Sequence, residues 1–194
     1  MPPHKHQELL TAAIERDGKA QQALLAGDPD AARAAFAEAA DLYRQSWEHA
    51  PPTAYGRLVG MLKSAVLAGG GSSEADHAQR ALGARDPESP TASYAQALAA
   101  LILKEDDDAR DWARQMGSGP DAFGRTAEAL AALAARDGER YEVALRAIVR
   151  DFEERTEHLT GVAIADTALT LVALGRRRDM EVSIDSPVLP RWRS

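Results

Sequence analysis

The chain has 194 residues, of which 45% are hydrophobic and 27% are charged, so it is long enough to bury one sizeable core. It contains no cysteine, which excludes a disulfide scaffold, a thiolate metal site and a cysteine nucleophile. The formal net charge of −7 is spread almost evenly along the chain, and this balance argues against a nucleic-acid binder or an anionic-membrane binder.

Alanine supplies 40 residues, and this bias toward the best helix former predicts an all-α fold. Between breaks made by glycine, proline and aspartate, apolar residues recur at spacings of three and four, which is the pattern of amphipathic helices. We predict about nine helices. Their approximate bounds are 7–25, 29–48, 52–68, 74–84, 91–104, 108–116, 121–135, 139–154 and 157–174.

The predicted helices are grouped as antiparallel hairpins. Tight turns fall near residues 27, 70, 106, 137 and 175, at the spacing of two-helix repeat units. The second helix resembles that of a tetratricopeptide repeat, although the proline that this family places a turn later is missing; the residues that carry the resemblance are Gly27, Asp28, Ala32, Phe36 and Ala39. The resemblance implies a single helical-repeat-like domain over residues 1–194, whose concave surface would bind another protein.

Four carboxylates follow one another between the fifth and sixth helices, at Glu105, Asp106, Asp107 and Asp108. Acids at this position cap the next helix and favour its positive end. The same run is also our candidate docking patch for a basic partner. Its spacing lacks the alternating ligands and the glycine of a calcium loop.

Asp166 is the one acid inside the otherwise apolar ninth predicted helix. Apolar residues on more than one line of this helix indicate that it is buried over much of its circumference. We therefore expect Asp166 to be paired internally, with an arginine as the partner.

Residues that could hold a metal or a cofactor form no recognisable pattern. The five histidines have no other ligand type at a zinc-like spacing, apart from His4 and His6 near the first residue of the sequence. The glycines at 69–71 lack the lysine and the serine or threonine of a phosphate-binding loop. We therefore predict no catalytic, cofactor-binding or metal-binding residues.

The sequence changes character after the last predicted helix. Residues 180–184 alternate with period two, which is typical of a strand, and a proline-locked stretch follows. We predict that residues 180–194 form an extended C-terminal arm packed on the domain. Four residues form the motif that locks this arm: Asp185, Ser186, Pro187 and Pro190.

This ending resembles that of a family of helical bacterial immunity proteins from polymorphic toxin systems, which finish on a hydrophobic strand and an Asp-Ser-Pro-x-x-Pro tail. The resemblance implies a cytoplasmic protein that neutralises a cognate toxin domain by direct binding and has no chemistry or cofactor of its own. The acidic balance agrees with a basic toxin as partner, and not with nucleic acid or a membrane. The longest apolar run, 97–103, is too short to span a bilayer, and no signal peptide pattern begins the sequence.

Two alternatives to this protein-binding function stay open. One is a small-molecule-binding or enzymatic helical domain that uses an interhelical pocket around Asp166, and the other is a regulatory scaffold. A deep apolar pocket with convergent polar groups at Asp166 would favour the first alternative. A packed interior with an open acidic groove would favour the protein-binding module.

Overall fold

The structure is a computed structural model, and it describes residues 4–83, 88–117 and 121–191. These residues are 71% helical and contain no strand, which confirms the predicted all-α array. None of their helices is both long and apolar enough to cross a membrane. The helices are α1 Lys5–Leu25, α2 Pro29–Glu48, α3 Gly56–Leu67, α4 Ser72–Leu82, α5 Pro90–Leu103, α6 Asp106–Gln115, α7 Ala122–Ala134, α8 Gly138–Glu153 and α9 Asp166–Arg176.

The first hairpin forms through local capping. Gly27 takes a φ of 75°, and the backbone N–H of Asp28 donates to the carbonyl of Ala23 at 2.9 Å, which closes the end of α1. The Asp28 side chain then accepts from the backbone N–H of Ala31 at 3.0 Å, and Pro29 opens α2. The tight turn predicted near residue 27 is therefore confirmed.

Helix α5 forms the centre of the core. It packs against α3, α4, α6 and α7, and its residues 92–102 are all buried. Many of these residues are alanines, and their small side chains allow neighbouring helices to approach closely. Helix α3 in turn packs against α2, α5 and α9, so it joins the first hairpin to the end of the domain.

The start of the third helix differs from the predicted one. The third helix begins at Gly56 and not near Pro52, because the backbone N–H of Ala54 donates to the carbonyl of Pro51 and closes a turn there. Tyr55 then stacks on Trp47 with ring centroids 6.1 Å apart, which keeps the turn against α2. The predicted end of the fourth helix, at residue 84, lies outside the described residues.

The ninth predicted helix starts too early in our sequence-based assignment. Helix α9 begins at Asp166, and residues 155–164 form an irregular segment that we call the strap. The strap is held on α1, where the hydroxyl of Thr160 donates to Oε1 of Gln21 at 2.5 Å. A Cβ at Gly18 would lie 3.2 Å from the carbonyl oxygen of Thr160, so the missing side chain permits this close approach.

The basic turn after α9 binds the ends of other helices. Arg177 donates to the carbonyl of Val66 near the end of α3, at 3.2 Å. Arg178, whose side chain is only 2% exposed, donates to the carbonyl of Leu101 near the end of α5, at 2.6 Å. These cations therefore complement the negative ends of neighbouring helices.

The C-terminal arm lies against the last helices. Val188 and Leu189 are buried, and the carbonyl of Val188 accepts from the backbone N–H of Ala165 at 2.7 Å. Within the arm motif, the hydroxyl of Ser186 donates to Glu153 at 2.6 Å, while Asp185 and Pro187 are exposed and Pro190 is half-buried. Residues 192–194 of the predicted arm lie outside the described residues.

We predict that the arm contributes to stability. Leu189→Ala should lower the free energy of unfolding by about 2–4 kcal/mol, because it leaves a cavity at a buried position. Truncation after Arg178 should cost more, since it uncovers several apolar side chains. Urea denaturation measures both effects. Val143→Ala, at a site where the side chain is 65% exposed, is the control and should change stability by less than about 0.5 kcal/mol. An unchanged unfolding midpoint after truncation would contradict the prediction.

Candidate functional site

A cavity of about 650 Å³ opens between α1, α3, α5, α7, α8 and the strap. Apolar side chains from several of these elements line its walls, among them Leu10, Ile14, Val59, Phe123, Ile148, Phe152, Leu159 and Ile164. Polar and charged groups reach the same space in two clusters. A cavity of this size lies within the range of small-molecule sites.

The first group, which we call the Lys63 cluster, comprises Asp17, Tyr43, Lys63, Tyr94 and Asp166. Nζ of Lys63 donates to Oδ2 of Asp166, and their side chains are only 17% and 26% exposed. Burial lowers the pKa of Lys63, but Asp166, Tyr94 and Asp17 together outweigh it and raise that pKa. Lys63 is therefore held as a cation beside the cavity.

Asp17 connects the first three helices to this cluster. Its Oδ2 accepts from the hydroxyl of Tyr43 at 2.9 Å, and its Oδ1 accepts from the hydroxyl of Ser64 at 2.8 Å. Burial raises the pKa of Asp17 to about 6, although both hydrogen bonds and Lys63 oppose this effect. A Cβ at Gly60 would lie 2.8 Å from the Tyr43 ring, so this glycine lets the ring lie against α3 and reach Asp17.

Tyr94 lines the cavity, and its hydroxyl is a buried polar group without a hydrogen-bond partner. Tyr94 is 8% exposed, and its oxygen makes no hydrogen bond of normal geometry. Burial raises its pKa, and Thr167 is close enough to oppose that shift without forming such a bond. Nδ1 of His158, on the strap, is likewise buried without a partner. Buried polar atoms without a partner cost stability, so both groups are departures from ideal packing in side chains that line the cavity.

The second group, which we call the Asp151 cluster, comprises Arg125, Asp151 and Arg155. Arg125 donates to Oδ1 of Asp151 at 2.5 Å, and Arg155 donates to Oδ2 at 2.5 and 3.0 Å. The guanidinium of Arg155 also lies 3.8 Å from the centre of the Phe152 ring, and that ring stacks on His158. The cluster therefore places two positive charges and one negative charge next to aromatic surface.

The acidic run of the sequence does not contribute to this cavity. Asp106 binds Arg178 at 2.7 Å, Asp107 pairs with Arg110, and Glu105 accepts from the side-chain amide of Gln79 at 2.5 Å. Three members of the candidate docking patch thus have partners within the chain, and Asp108 is exposed. Asp106, Asp107 and Asp108 lie in the first turn of α6, where acids favour the positive helix end.

Sequence reasoning found one member of the site and missed the others. Asp166 is paired as expected, but its partner is Lys63 and not an arginine, and it begins α9 instead of lying within it. A lysine on an amphipathic helix is expected at the surface, so no local signal marked Lys63. The same holds for Asp17, which lies in a helix with many polar residues.

Among the described residues, no group of three or more histidine and acidic side chains could hold a metal ion. No family model, curated protein or solved structure matches the chain. The observations that bear on function are therefore the all-α helical array and its polar and aromatic cavity.

We predict a pH dependence of stability from Asp17. Because its pKa is raised in the folded state, the unfolded chain loses this proton first as the pH rises. Through this group, the free energy of unfolding should fall by about 2 kcal/mol between about pH 4 and pH 6, and should not recover above that range. The difference between wild type and Asp17→Asn, measured by urea denaturation, isolates this contribution.

Tyr43→Phe provides a second test of the same group. It removes a hydrogen bond that lowers the pKa of Asp17, so the fall should extend to higher pH than in wild type. A difference between wild type and Asp17→Asn that is constant from pH 4 to pH 7 would contradict the buried carboxylate.

We also predict that the acids of the run contribute unequally to stability. Asp106→Asn should destabilise the fold by about 2–3 kcal/mol, because it removes the charged partner of a buried arginine. Asp107→Asn is the matched control on the same helix turn and should cost less than about 0.5 kcal/mol, since its ion pair is exposed. Thermal or urea unfolding compares the two. Equal effects would show that Arg178 does not depend on Asp106.

Proposed function

We propose that the protein binds a small organic molecule in the cavity between the Lys63 cluster and the Asp151 cluster. The observation that carries this proposal is the convergence of the buried Lys63–Asp166 ion pair and the Tyr94 side chain on one cavity of about 650 Å³. This is the arrangement that favours the ligand-binding alternative over a protein-binding surface. Specific small-molecule sites commonly combine apolar walls with a few convergent polar groups.

The energetics of the Lys63 cluster support the same proposal. Removing two charges from water costs several kcal/mol per ion, and a well-packed apolar pair is often as stable as a buried ion pair. Stability alone therefore gives little reason to place Lys63, Asp166 and Asp17 in one poorly solvated space. A ligand that uses these groups gives such a reason.

Binding fits the cluster better than catalysis does. The raised pKa of Lys63 keeps its amine protonated, so this amine is not a nucleophile. Both oxygens of Asp17 accept hydrogen bonds from Tyr43 and Ser64. We therefore assign the cluster to the orientation of a ligand.

The protein-binding interpretation gains less from these contacts. Three of the four acids in the candidate patch are engaged within the chain. Toxin neutralisation and a scaffold role thus stay predictions from the sequence. A neighbouring toxin gene is the observation that would favour the former.

The proposal is tested with N-phenyl-1-naphthylamine, an uncharged dye whose fluorescence rises in apolar sites. Wild type should bind it saturably at one site. Gly56→Trp and Thr91→Trp add bulk at cavity-lining positions, and a side chain at Gly56 meets no atom within 4 Å. Both variants should weaken dye binding at least about tenfold, which corresponds to about 1.4 kcal/mol.

The matched control is Gly138→Trp. Gly138 is the first residue of α8, as Gly56 is of α3, and its position is equally open but does not line the cavity. Circular dichroism verifies that each variant is folded. Absence of saturable binding to wild type, or equal binding by all three variants, would contradict the proposal.

A further inference from the structure

One side of the cavity is formed by the strap. Five residues of the strap line the cavity: Arg155, His158, Leu159, Thr160 and Ile164. The strap contains no helix or strand, so its movement breaks no helical hydrogen-bond ladder. Residues 53–55 are also a non-helical part of the wall, but a turn hydrogen bond and the stacking of Tyr55 on Trp47 hold them in place. The strap is therefore the part of the wall that can move at low cost.

The two ends of the strap differ in burial. At the end next to α9, Ile164 is buried and the backbone N–H of Ala165 donates to the carbonyl of Val188 at 2.7 Å. At the other end, four of the six residues 156–161, which we call the gate, are exposed. Leu159 keeps 77% of its surface in solvent although it is apolar. Few buried contacts therefore oppose movement of the gate.

The gate has a pivot on each side. Gly161 joins it to the fixed end of the strap and takes a φ of 72°. Glycine adopts positive and negative φ at similar cost, so this residue can absorb a rotation of the gate. On the other side, α8 ends at Glu153, shortly before the gate begins.

Contacts with two helices hold the gate closed. The hydroxyl of Thr160 donates to Oε1 of Gln21 on α1 at 2.5 Å, and the missing side chain of Gly18 lets the gate lie close to that helix. The ring of His158 stacks on Phe152 of α8 with ring centroids 6.2 Å apart. The gate thus spans the cavity from α8 to α1.

The closed position also carries a cost. Nδ1 of His158 is buried without a hydrogen-bond partner, and opening of the gate returns this atom to water. The hydrogen bond to Gln21 opposes opening, but one hydrogen bond contributes only modestly to stability. This balance favours a gate that is closed on average and opens locally.

We propose that residues 156–161 lift from α1 to let the ligand enter the cavity and then close over it. This inference rests on the proposed function and adds the route by which the ligand reaches its site. The gate pivots at Gly161 and at the end of α8. The contact between Thr160 and Gln21 closes it.

A disulfide between α1 and the gate tests the proposal. A Cβ at Gly18 would lie 3.6 Å from the Cβ of Thr160, which is a separation found in disulfides. The chain has no cysteine, so Gly18→Cys/Thr160→Cys introduces a single pair. Mass spectrometry of unreduced peptides verifies that the bond forms within one chain.

Stopped-flow fluorescence with N-phenyl-1-naphthylamine measures the effect of this bond. Oxidation should slow both binding and release at least about tenfold and change Kd by less than about twofold, because the bond blocks the route and leaves the closed site intact. Dithiothreitol should restore both rates. The reduced protein is the matched control, since it carries the same two substitutions.

Thr160→Val tests the gate in the opposite direction and without a crosslink. It keeps the shape of the side chain but removes the hydrogen bond to Gln21, so both rates should rise about fivefold. Thr170→Val is the matched control. The hydroxyl of Thr170 donates to the carbonyl of Asp166 within α9 and does not line the cavity, so this variant should leave both rates unchanged. Circular dichroism verifies that each variant is folded.

The outcomes separate the gate from the function on which it rests. Saturable dye binding with the same rates in the oxidised and reduced proteins would overturn the gate and leave ligand binding intact. A loss of affinity on oxidation without a change in the binding rate would show that the strap is a fixed wall, which also overturns the gate. Failure of the dye to bind wild type would remove the proposed function, and the gate with it.

Discussion

The ion pair between Lys63 and Asp166 is the interaction around which the second half of the domain is arranged. It joins the middle of α3 to the first residue of α9, two positions that are 103 residues apart in the sequence. Because α9 begins only at Asp166, residues 155–164 are not helical and form the strap. The strap reaches α1 through Thr160 and supplies part of the cavity wall. One buried pair thus connects the helix start, the strap and the cavity.

A second set of long-range contacts joins the basic turn after α9 to the ends of other helices. Arg177 and Arg178 bind the carbonyl ends of α3 and α5, and Arg178 also binds Asp106 at the start of α6. A single basic turn therefore adds charged donors to backbone acceptors near two helix ends, where cations favour the negative end of the helix. The arm that follows adds Val188 and Leu189 to the core. These contacts join the end of α9 and the arm to α3, α5 and α6.

The cavity and its polar clusters make the fold less stable than a closely packed apolar core would. A closely packed core of alanine and leucine would bury the same helices without placing Asp17 at a raised pKa or leaving the Tyr94 hydroxyl without a partner. Such departures from ideal packing are typical of functional sites, where binding compensates for them.

The sequence by itself determined the helices, because their signals are local. Gly27, Asp28 and Pro29 set the first turn through contacts within a few residues, and the apolar spacing of α5 indicated a buried helix. The start of α9 and the partner of Asp166 were not predicted correctly, and the pairing of Asp106 with Arg178 was not foreseen. Each depends on a residue distant in sequence: Thr160 on Gln21, Asp166 on Lys63, and Asp106 on Arg178. Helical periodicity reports contacts between residues three or four apart, whereas these pairs and the cavity between them exist only after the helices pack together.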